Sequence, residues 1–86
     1  MALLDLLGRR WALRVLWELR EGVATFRVLR ERCDGVSPTV LNERLRELRE
    51  SGIVELGGDG FGLTEEGKAL LRALSPLQRW ADGWKV

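Results

Sequence analysis

Leu41, Leu45 and Leu48 recur at i, i+4 and i+7 in a stretch otherwise rich in Thr, Asn, Glu and Arg. That spacing lays one apolar stripe along a helix and leaves the other side polar. Ser37 is placed to cap the helix, Pro38 stands at its first position, and Gly52 closes it, so a helix is predicted over 38–51. Upstream, Arg9 to Glu21 carries Trp11, Ala12, Leu13, Val15, Leu16, Trp17 and Leu19, and Gly22 follows. These cover more than half of a helical circumference, which predicts a helix buried between the core and a second layer. Val23-Ala24-Thr25 has room only for an edge strand. Thr25 can then cap a helix from Phe26 to about Cys33, with Phe26, Leu29 and Cys33 inward and Arg27, Arg30 and Glu31 outward. Asp34-Gly35-Val36 turns directly into Ser37, and helix, short turn and helix make a helix-turn-helix pattern.

The period changes after Gly52. Ile53 to Leu56 reads as a strand, Gly57-Gly58-Asp59-Gly60 as a turn, and Phe61-Gly62-Leu63 as the return strand. A hairpin directly after the second helix of a helix-turn-helix is a wing. Its glycines lack the Gly-Lys-Ser/Thr ending of a phosphate loop. Thr64 caps a last helical region whose first turn holds Glu65 and Glu66, and Pro76 is expected to kink or restart it. Leu70, Leu74, Leu77, Ala81 and Trp84 step by four and three along it, with Trp80 beside the seam. This is the spacing of a helix that packs along another helix, either in a second subunit or in its own domain. Leu3, Leu4, Leu6 and Leu7 form a short apolar N-terminal segment, which would pack on another subunit or on the C-terminal helix. The fold class is therefore mainly α with a small β-hairpin. It forms a single domain over 1–86, with helix-turn-helix and wing in 8–64 and dimerisation helices in 1–7 and 65–86.

Composition sharpens this picture. Of the 86 residues 45% are apolar, including four Trp, more than a small monomer easily hides, so a homodimer is expected. Net charge is only +1, which argues against binding polyanions by bulk charge. Arg outnumbers Lys twelve to two, and Arg suits bidentate contacts to phosphate and guanine, although a GC-rich genome gives the same bias. The absence of His removes His-based acid–base chemistry and His metal sites, so no enzyme, cofactor or metal is expected. One Cys permits no internal disulfide. No run approaches the ~20 apolar residues of a membrane span, and the N-terminal leucines are too short and interrupted for a signal peptide. A soluble cytoplasmic protein is expected.

Thr39, Asn42, Glu43 and Arg46 lie opposite the leucine stripe, with Arg49 beside them. In the major groove Asn can pair with adenine and Arg with guanine, each contact giving roughly 1–3 kcal/mol of discrimination. The same residues also suit an ordinary amphipathic surface helix laced by Arg/Glu pairs.

Four segments resemble the HxlR-type winged helix-turn-helix transcriptional regulators of bacteria and archaea, relatives of the MarR group. Leu7-Gly8-Arg9-Arg10-Trp11-Ala12-Leu13 is similar to the family's Gly-Gly-Lys-Trp-Thr approach to its first core helix. Gly22 to Arg30 is similar to its Gly…Arg-Phe-x-x-Leu segment. Gly35 to Leu48 resembles its Ile-Ser-x-x-x-Leu-x-x-Arg-Leu-Arg-Glu-Leu recognition helix. Leu63-Thr64-Glu65-Glu66-Gly67, with Trp80 further on, resembles its Leu-Thr-x-x-Gly and C-terminal Trp. The resemblance implies a homodimer held by N- and C-terminal helices, with Leu3, Leu4, Leu7, Leu70, Leu74, Leu77, Trp80, Ala81 and Trp84 as interface candidates. It implies a DNA-facing set of Ser37, Thr39, Asn42, Glu43, Arg44 and Arg46, with Arg27 and Arg30 on phosphates. Arg44 lies nearest the apolar stripe, where it can instead hold the helix to the domain.

Two departures from the family pattern follow. Oxidant-sensing members often carry a Cys before the first core helix, whereas Cys33 lies on an inward helix face, where packing competes with redox sensing as its role. The wing is short and carries Asp59 but no Lys or Arg, so affinity is expected to rest on the helices. The leading reading is a dimeric regulator that binds a double-stranded operator, with a small-molecule effector as a possible partner at the Trp-rich helices and no membrane. The alternative is a winged-helix interaction module without DNA binding, favoured by near-neutral charge and by Glu43, Glu47 and Glu50.

Overall fold

A computed structural model describes residues 2–84; the end positions of the expected domain, Met1, Lys85 and Val86, lie outside them. The order is α1 (Ala2–Leu7), α2 (Ala12–Glu18), α3 (Phe26–Arg32), α4 (Pro38–Glu50), β1 (Val54–Gly57), β2 (Gly60–Leu63) and α5 (Glu65–Asp82). The core is the meeting of the buried faces of α2, α3 and α4. Leu16, Leu19, Leu29, Leu41, Leu45 and Leu48 are fully enclosed there, with Val15 and Cys33. The leucine stripe of α4 is thus its inward face.

Three polar caps set the helix starts as expected. The hydroxyls of Thr25, Ser37 and Thr64 accept from the backbone N–H of Val28, Val40 and Gly67 at 3.2, 3.1 and 3.0 Å. Helix α2 differs. It begins at Ala12 rather than Arg9, because Gly8 to Trp11 form the turn out of α1 and Trp11 adopts a left-handed φ of 76°. It also ends at Glu18, and the chain to Gly22 continues as tight turns. Its circumference is only half covered: Ala12, Val15, Leu16 and Leu19 are buried, whereas Leu13 and Trp17 face outward.

The wing is an antiparallel pair with Val54 opposite Leu63 and Gly57 opposite Gly60. Ala24 adds an isolated bridge to Phe61, exchanging N–H···O bonds of 2.9 and 2.8 Å, so the edge strand read from Val23-Ala24-Thr25 shrinks to one residue. Gly60 makes this approach possible. Its φ is 131°, and a Cβ there would lie 2.5 Å from the Ala24 carbonyl oxygen.

Helix α5 is continuous through Pro76, so the helix does not restart there. Pro76 and Arg72 are both exposed, so water can reach the carbonyl that loses its helical partner. Two interface candidates turn inward in the chain itself. Leu7 is 9% exposed and belongs to the core, and Leu70 packs against that core half-buried. Leu3, Leu4, Leu77, Trp80 and Trp84 stay exposed, and Leu74 and Ala81 are half-buried. Trp80 and Trp84 stack with centroids 5.5 Å apart. No helix among the described residues is long and apolar enough to cross a membrane.

Candidate nucleic-acid interface

Burying Leu41, Leu45 and Leu48 fixes the rotation of α4 and decides what its outer face presents. Thr39, Asn42, Arg46, Arg49 and Glu50 are exposed, and Glu43 is half-exposed. An open cleft between α3 and the start of α4 is lined by Phe26, Arg27, Arg30 and Ser37, among others. The structure therefore brings Arg27, Arg30 and Ser37 to one cleft, at the start of α4. Ser37 is exposed, but its oxygen is engaged as the cap. Arg27 pairs with Glu31 at 3.5 Å one turn along α3, whereas Arg30 meets no carboxylate among the described residues.

Arg44 stands apart from the rest of the predicted set. Its Nε donates to the Arg10 carbonyl at 2.9 Å and its Nη1 to Glu47 at 2.5 Å, and its side chain is only 15% exposed. Arg9 reaches the other oxygen of Glu47 at 3.4 Å. Arg44 thus ties α4 to the turn between α1 and α2, the second of the two roles open to it. A position just off an apolar stripe is where a long cationic side chain lies along the protein before its head finds partners.

Arg46 points outward and is held on its own helix. Nη1 donates to Glu50 at 2.8 Å and Nη2 to Glu43. Hydrogen bonding and charge from Arg46 hold the Glu43 carboxyl below the usual carboxylate range, and the two carboxylates push the Arg46 guanidinium up. The i−3 and i+4 spacing that permits this clamp was present in the sequence.

Arg49 is the functional candidate left out of the predicted set. It lines a shallow cleft between α4 and β1 with Arg46, Glu50, Val54, Glu55 and Leu56. Its spacing placed it beside the polar face of α4, and the position of the wing gives it a second neighbourhood.

The sole Cys lies far from chemistry. Cys33 is fully enclosed, and burial pushes its thiol up, away from the reactive thiolate.

A buried-face trihelical core, a capped second helix with a free polar face, and a hairpin directly after it define the winged helix-turn-helix class. The HxlR-like helix-turn-helix family model matches residues 6–86, and the chain belongs to that family. It is 29% identical over 89 residues to an uncharacterised helix-turn-helix-type transcriptional regulator, MJ0925, of Methanocaldococcus jannaschii, covering 99% of this chain and 84% of that one. It is 34% identical to the helix-turn-helix-type transcriptional regulator YodB of Bacillus subtilis over 91% of this chain and 76% of YodB. The crystal structure of quinone-bound YodB superposes with a TM-score of 0.90 at 35% identity, over 96% and 94% of the two chains. A possible HxlR family transcriptional factor from Thermoplasma volcanium superposes at 0.84 with 30% identity, over 92% and 77%. The protein is a transcriptional regulator of helix-turn-helix type, which implies DNA binding, and its relatives are regulators rather than enzymes.

Proposed function

We propose that the chain is a homodimeric, sequence-specific regulator that lays α4 in the major groove of duplex DNA. The observation that carries this reading is the outer face of α4: Thr39, Asn42, Glu43 and Arg46 take no part in the core, while leucines and Arg44 fix the helix behind them. Asn42 and Arg46 read base edges. Arg27, Arg30 and Arg49 flank them as phosphate contacts, and Thr39 and Ser37 lie at the helix start. The acidic wing tip stays clear of close phosphate contact. The domain divides as 8–64 for reading and 1–7 with 65–86 for pairing, although Leu7 and Leu70 serve the chain's own core.

The dimer joins the exposed apolar side chains of α1, α2 and α5. Leu3, Leu4, Leu13, Trp17, Leu77, Trp80 and Trp84 are large apolar side chains left exposed on these helices, and such side chains gathered in one patch mark an interaction surface. Leu74 and Ala81 line a groove with Leu13, Trp17, Leu71 and Leu77 that belongs to this surface. Two copies then present their α4 helices to half-sites one helical turn apart, about 34–36 Å. An aromatic effector at this interface would be reported by quenching of Trp17, and saturable quenching on titration is the expected result.

Fluorescence anisotropy of a labelled duplex across a salt series tests the DNA-binding reading. Affinity is expected to fall with a slope of roughly −0.9 per phosphate neutralised. A flat response would instead favour an interaction module without DNA binding.

A further inference from the structure

We propose that Glu43 and Glu50 are specificity-determining residues that hold Arg46 on its own helix and withhold it from non-cognate DNA. The inference rests on the reading of α4 as the recognition helix. Arg46 sits at the centre of the exposed face, with Glu43 one turn before it and Glu50 one turn after it. Each terminal nitrogen of its guanidinium donates to a different carboxylate. Those two nitrogens are also the prongs with which an arginine grips O6 and N7 of guanine. Arg46 therefore has two exclusive states, clamped on the protein or forked onto a base.

The two kinds of DNA complex use these states differently. A correctly placed guanine offers a bidentate fork in exchange for the two carboxylate bonds. A lone phosphate or a wrong base offers a poorer exchange and leaves two carboxylates facing a polyanion. Arg46 stays clamped in the non-specific complex and contributes little there. The clamp lowers affinity for bulk DNA while leaving the cognate contact available. It also accounts for a recognition surface with two acidic residues within one turn of its central arginine, in a chain of net charge +1.

The test compares binding of wild-type and E43Q/E50Q protein to its selected duplex and to a scrambled duplex, with and without R46A in each background. In the E43Q/E50Q protein, affinity for scrambled DNA is expected to rise about five- to tenfold more than affinity for the selected site, the scale of two exposed ion pairs. The salt slope on scrambled DNA should steepen by about one in that background as the freed arginine reaches a phosphate. Adding R46A should remove both gains, which separates release of Arg46 from the loss of negative charge. Equal gains on both duplexes, or gains that survive R46A, would overturn the clamp while leaving α4 as the DNA reader. Failure of the wild-type chain to prefer any duplex would overturn the recognition-helix reading, and the clamp with it. Matching melting curves of the variants exclude unfolding as the cause.

Discussion

Arg44 and Arg46 stand two residues apart on one helix and face opposite ways. The guanidinium of Arg44 is half of a partly buried tie: the Arg10 carbonyl and Glu47 satisfy it, and α4 is held to the turn before α2. Replacing Arg44 by Ala should lower stability by about 1.5–3 kcal/mol, the range for hydrogen bonds to a charged group, and thermal or urea unfolding would register it. Under the proposed reading of α4, base preference at the position assigned to Arg46 should persist in that variant. Glu43 gives a pH prediction. Its carboxyl is held below the usual range in the folded chain, so its pair with Arg46 is intact above that range and opens only as pH falls through the depressed value. Carboxyl carbon chemical shifts followed through an acid titration should place the Glu43 midpoint below that of an unpaired glutamate, and Arg46→Ala should move it up. Cys33 should resist thiol reagents in the folded chain and react only as the chain opens, because it is enclosed and its thiol is pushed up. A native thiol labelled at the rate of a free one would contradict that burial.

Among the elements, the junction of wing and α5 is held by several hydrogen bonds and a close approach. The Thr64 hydroxyl accepts from the Gly67 N–H and donates to the Gly52 carbonyl at 2.6 Å, while the Thr64 N–H donates to the Ile53 carbonyl at 3.1 Å. Gly67 is buried where a Cβ would run into that same Ile53 carbonyl. Gly67→Ala should therefore cost about 1–3 kcal/mol by overpacking, read as a lower urea midpoint with an unchanged m value. An unchanged midpoint would mean that the helix shifts freely on the wing. The Leu-Thr-x-x-Gly run was legible as a capped helix start, but the need for glycine was not, since it comes from the Ile53 carbonyl just before β1. The same divide runs through the chain. Ser37, Pro38, Thr25 and the leucine stripe of α4 act within one or two turns, so their roles could be read from spacing. The left-handed Trp11 and the inward turn of Leu7 depend on what packs alongside, which spacing does not record; spacing left two roles open to Arg44, and its partners Arg10 and Glu47 decide between them. Pro76 was read by a rule for helix interiors, and it is tolerated because that side of α5 meets water.

For the molecule as a whole, the proposed two-half-site binding requires a second copy. The outward side chains of α1, α2 and α5 include Leu77 at 55% and Trp80 at 61% exposure, and a paired Trp80 and Trp84 at the end of α5. Leu77→Asp with Trp80→Asp should convert a dimer to a folded monomer in sedimentation velocity, with affinity for a two-half-site duplex falling steeply because each reading head then binds alone. A wild-type chain that sediments as a monomer would remove the dimer. Whether α4 reads sequence is decided by selection of duplexes from a random pool at moderate salt, with the Asn42→Ala, Arg46→Ala variant in parallel. Enrichment of a two-fold symmetric site by the native chain, and its loss in the variant, is the expected result. No enrichment by folded, dimeric protein, or enrichment of the same site by both proteins, would contradict it.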